Sequence, residues 1–71
     1  MSDFGERLWT VKGPTETYAC ELHDRGQWGI EAMILWNGRL LIGQRFDSRA
    51  LALQWAANEQ ADMEHRRARL H

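Results

Sequence analysis

Proline and cysteine each occur once in the 71 residues. A lone cysteine excludes an intramolecular disulfide framework and a four-cysteine zinc site, and points to a reducing compartment. The bacterial cytoplasm is the location this implies. No apolar run approaches the roughly 20 residues of a membrane span, and the polar start Met1-Ser2-Asp3 lacks the pattern of a secretory leader. A phosphate-cradling glycine loop is missing too, because the six glycines are scattered at positions 5, 13, 26, 29, 38 and 43. With no repeat, linker or low-complexity tract, residues 1–71 read as one domain. Charge of one sign is also lacking, since the formal net charge is −1. Residues 1–64 carry all ten acidic groups against six basic ones, and the three arginines 66, 67 and 69 form a basic tail. A general nucleic-acid binder carries the opposite balance, because phosphate contacts dominate its affinity.

Aromatic residues are what the chain has in quantity: four Trp, two Phe and one Tyr. So short a chain buries only about 60% of its unfolded surface, and large rings supply an outsized share of that burial. The first half alternates with period two, the mark of half-buried strands. Leu8-Trp9-Thr10-Val11 ends at Gly13-Pro14, and Tyr18, Cys20 and Leu22 then oppose Thr17, Glu21 and His23. From residue 28 to 36, Trp28, Ile30, Ala32, Ile34 and Trp36 share one face. Asn37-Gly38 follows, the dipeptide best suited to a two-residue type I′ hairpin, and Arg39 to Phe46 returns antiparallel. After Asp47 the period changes. Ser48 is a natural N-cap, and Ala52, Trp55, Ala56, Glu59 and Met63 fall on one helical stripe.

The expected fold is α+β: a three- or four-stranded antiparallel meander with one C-terminal helix packed across one face. Strands are placed at about 8–11, 15–23, 27–36 and 39–46, and the helix at about 49–68. The core expected between sheet and helix is Ile30, Ala32, Ile34, Leu40, Ile42, Ala52, Trp55 and Ala56.

The residues offer little chemistry. Asp62 and His65 stand three apart on the helix, too few for a metal site without a third ligand. Cys20 shares a face with Tyr18 and Leu22, so it reads as a small buried hydrophobe. No catalytic, cofactor-binding or metal-ligating set is expected, and the chain reads as a non-enzyme. The tail 65–71 reads either as a solvated helix end complementing the dipole or as an acidic-partner or nucleic-acid contact. If Ile30, Ala32 and Ile34 meet the helix, then Met33, Leu35, Leu41 and Trp9 point to the open sheet face, with Arg45 beside them. That set is a contact patch, unless sheet twist or the N-terminal segment covers it.

The tract Trp28-Gly29, Ala32-Met33-Ile34, Ile42-Gly43 and Phe46-Asp47-Ser48, followed by an Ala-rich helix, resembles a known DNA-binding domain. This is the three-strand-plus-helix domain of plant Apetala-type factors and phage integrase amino-terminal arms, and the likeness spans residues 28–61. That family reads the major groove from its exposed sheet face, which implies Arg39 and Arg45 as the corresponding groups here. The whole chain is also similar to a group of short bacterial proteins of unknown function. The shared segments are Cys20-Glu21-Leu22, Trp28-Gly29, Asn37-Gly38-Arg39-Leu40, residues 45–52 and Gln54-Trp55-Ala56. Two functional expectations result. The first is a non-enzymatic module binding a protein or a second copy of itself through the open sheet face or an edge strand. The alternative is a nucleic-acid-binding domain of the three-stranded-sheet type.

Overall fold

Four strands follow one another in a meander and the chain then turns into a single helix, as a computed structural model of residues 5–69 describes. The strands are β1 (Glu6–Lys12), β2 (Thr17–Asp24), β3 (Ile30–Trp36) and β4 (Arg39–Phe46), and the helix α1 is Arg49–Arg69. All neighbours are antiparallel, in the spatial order β1-β2-β3-β4. The fold is α+β, and no helix among the described residues is long and apolar enough to cross a membrane.

Alternation decides which face meets α1. Cys20, Leu22, Ala32 and Ile34 are buried together with Ala52, Ala56 and Met63 of the helix. The small Ala32, Ala52 and Ala56 let the helix axis come close to the sheet, so that Ile34 and Met63 fill the space beside them. Toward the start of α1, Phe46 and Trp55 close the core with ring centroids 5.7 Å apart and planes tilted by 47°. The Ser48 hydroxyl accepts a hydrogen bond from the Leu51 amide at 3.2 Å, so the N-cap is where the sequence places it.

The β3–β4 hairpin turns on Asn37 at φ 50° and Gly38 at φ 84°, the two positive values a type I′ turn needs. Asn37 also fastens the hairpin to β2. Its Oδ1 accepts from the Thr17 amide at 2.9 Å, and its own amide donates to the Thr17 carbonyl at 2.8 Å. Around Gly38 there is open space, so a larger side chain meets no steric clash there and the cost of replacing it is conformational. Gly38→Val is therefore expected to lose about 1–3 kcal/mol, read as a lower melting temperature. An unchanged melting temperature would contradict the turn assignment.

The structure corrects four expectations. Trp9 does not point to the open sheet face. The β1–β2 register shifts between Arg7 and Trp9, and this bulge turns Trp9 into the core beside Val11. Leu40 is not a core residue. A second irregularity lies between the pairs Ile34↔Ile42 and Leu35↔Leu40, so Leu41 is the extra residue and Leu40 joins Leu35 on the open face. Ile42 does keep the helix side, but α1 meets β4 at Phe46 and leaves Ile42 39% exposed. Trp28 does not open β3. Gly26–Trp28 forms a 3-10 turn held by the Asp24 carboxylate on the Gly26 amide at 2.8 Å, which leaves the indole 64% exposed.

Candidate interaction surface

Three surfaces come into question, and the open sheet face is the first. Met33 and Leu35 lie on it, both half-buried. Around them run side-chain pairs among charged and polar groups. Arg7 donates to Glu21 Oε2 at 2.7 Å, and His23 Nε2 lies 3.2 Å from Glu21 Oε1. The Arg7 guanidinium beside Glu21 is the main reason its carboxyl titrates below the usual carboxylate range. One oxygen of Glu31 accepts from Arg25 Nε at 3.1 Å and Nη2 at 2.9 Å. The open face thus combines these side-chain pairs with the half-buried Met33 and Leu35, and at its β4 margin with the exposed Leu40 and Arg45.

The second surface is a shallow cleft lined by Glu6, Leu22, Asp24, Ile30 and Arg49 at the start of the helix. Arg49 Nη2 bonds Glu6 Oε2 at 2.8 Å and holds that carboxyl below its ordinary pKa. The cation and one of the two acids lining it are thereby committed to each other. Cys20 is fully buried, and burial pushes its thiol up to about 11, which removes it from nucleophilic chemistry at neutral pH. No cluster of three metal-ligating groups occurs among the described residues.

The third surface is β4. As the last strand of a meander it has a neighbour on one side only, and every residue from Arg39 to Arg45 is exposed. Its centre is Leu40-Leu41-Ile42-Gly43, with no charge and no proline among them. Edge strands are normally blunted by inward charges, proline or a cover, since their free N–H and C=O groups template another strand. Here the bulge at Leu41 is the device present, and it leaves that side chain 47% exposed beside Leu40 at 63%. With Trp36 and Ile42, each 39% exposed, the edge leaves apolar side chains open on both faces of the sheet.

Of the five residues singled out from the sequence, Leu41 and Arg45 belong to this edge, Met33 and Leu35 to the open face, and Trp9 to the core. Sequence reasoning missed Trp36, Leu40 and Ile42 as surface groups, and named Arg39 only through the resemblance. The available signal was topological: a final strand followed by a helix has no later strand to pair with. The side chains of residues 67–69, and residues 70 and 71, lie outside the described residues, so most of the basic tail does too. The chain matches no known family model, no curated protein and no solved structure.

Proposed function

We propose that this chain is a non-enzymatic interaction module that binds a protein segment at the β4 edge. The observation that carries the reading is a full-length exposed edge strand whose apolar centre is not covered by α1. Strand addition satisfies the free backbone groups of such an edge, while neighbouring side chains supply the apolar contact. Each Å² of apolar surface covered contributes about 25 cal/mol in favour of binding. Immobilising the partner cancels much of it, so moderate affinity is the outcome.

The nucleic-acid alternative has less support, because Arg7 and Arg25 on or beside the open face are bound to Glu21 and Glu31, and the two arginines of β4 are few for a phosphate backbone on a chain of net charge −1. A selection of random heptapeptides on the immobilised protein tests the proposal. The expected result is a set of binders that the double variant Leu41→Glu, Ile42→Glu no longer retains. Peptides held equally by both proteins would contradict it. Duplex DNA bound with a steep salt dependence would favour the alternative.

A further inference from the structure

We infer that the β4 edge selects an extended partner segment with an apolar centre and an acidic residue at each end, a deepening that rests on the proposed edge-binding role. The argument starts from where the cations find their partners. Arg7 is bonded to Glu21, Arg25 to Glu31 and Arg49 to Glu6. Arg39 and Arg45 make no such bond among the described residues. Both are exposed, and they bracket β4 near its two ends. Arg45 does lie opposite Glu31 in the β3–β4 ladder, but the Glu31 oxygen that bonds an arginine accepts both its bonds from Arg25. The sheet edge with open backbone groups is therefore also the edge with two uncommitted guanidinium groups.

Geometry fixes the ligand's length. Arg39 and Arg45 are separated by six strand steps less one bulge, about 17–20 Å, which is the span of about six or seven residues of an added strand. Arg39 is level with Trp36 on the helix side, whereas Arg45 is level with Glu31 on the open face. The two acidic groups of the ligand thus project to opposite faces of the extended sheet. Between them, its side chains run beside Leu40, Leu41 and Ile42.

The same charges argue against a second copy of this chain. A two-fold antiparallel pairing of β4 with β4 brings the Arg39 end of one copy to the Arg45 end of the other. The paired strands would gather four arginines and no acid of β4 along one seam, and edge cations are a known means of preventing self-pairing. The acidic-ended segment turns that repulsion into two ion pairs.

Two blocked hexapeptides test this, because their first and last side chains project to opposite faces of a strand: alternating valine and threonine between terminal glutamates, and the same interior between terminal lysines. Each is titrated against the intact protein while backbone amide shifts are followed, with sedimentation of the protein alone alongside. The expected result is shifts concentrated in residues 39–46, with the glutamate peptide binding about tenfold tighter at low salt. That advantage should shrink at high salt and vanish in the folded double variant Arg39→Ala, Arg45→Ala. Equal affinity for the two peptides would overturn the charge selection while leaving an apolar docking edge. Absence of β4 shifts with the glutamate peptide would overturn it as well, and the random-peptide selection then decides separately whether the edge binds anything. A dimer whose β4 amides shift with protein concentration would replace the acidic segment by a second copy.

Discussion

Trp9→Ala is expected to lose about 3–5 kcal/mol of unfolding free energy, most of what a domain of this size has. The indole is almost fully buried between β1, β2 and the helix, in a cluster with Val11, Cys20, Ile34, Ala56 and Met63. Its Nε1–H donates to the Ala56 carbonyl at 3.0 Å, a link between residues 47 apart in sequence. Truncation removes the ring and that link together and leaves a cavity that the small Ala56 cannot fill. Trp9→Phe separates the two contributions, because it keeps most of the packing and deletes the donor. Its loss should be about 1–2 kcal/mol. Urea unfolding of the three proteins reads both values. A Trp9→Ala loss below about 1 kcal/mol would mean the ring is not in the core.

The second large effect belongs to Ile34. It has no exposed surface and lies on β3, an inner strand of the sheet, facing α1. Ile34→Ala is expected to cost about 2–5 kcal/mol. The upper half of that range applies here, since Ala32 and Ala56 nearby have no side chain long enough to move into the gap. Its cross-strand neighbour Ile42 provides the comparison. Both face the helix side, yet Ile42 remains well exposed, so Ile42→Ala should cost clearly less than Ile34→Ala in the same urea titration. Equal losses would mean that α1 covers Ile42 and the centre of β4.

What was readable in the sequence was read from periodicity and from residues with special backbone needs. Tyr18, Cys20 and Leu22 alternate as a half-buried strand must, and Asn37-Gly38 fixes both the hairpin and its type. Ser48 and the stripe Ala52, Ala56, Met63 define the start and the buried side of the helix. The errors arise where one inserted residue resets the alternation. A bulge reverses the face of everything beyond it, and nothing in the composition of Arg7-Leu8-Trp9 or Leu40-Leu41-Ile42 announces one. Leu40 was misplaced for that reason, and Trp9 because nothing in the short run 8–11 tied its face to that of the other strands. Ile42 was misplaced for another: its face was right, but whether a helix spans a whole sheet depends on its crossing direction, which local pattern does not encode. The β4 edge was visible only as the absence of a later strand.

The direct measurement is an amide-shift and hydrogen-exchange map of the protein with a peptide taken from the random selection. The account predicts that shifts and new exchange protection cluster at Trp36 and residues 39–46, the strand that is exposed along its length in the free chain. A map centred instead on the ion-paired open face around Arg7, Glu21 and Met33, with β4 exchanging as fast as before, would contradict it.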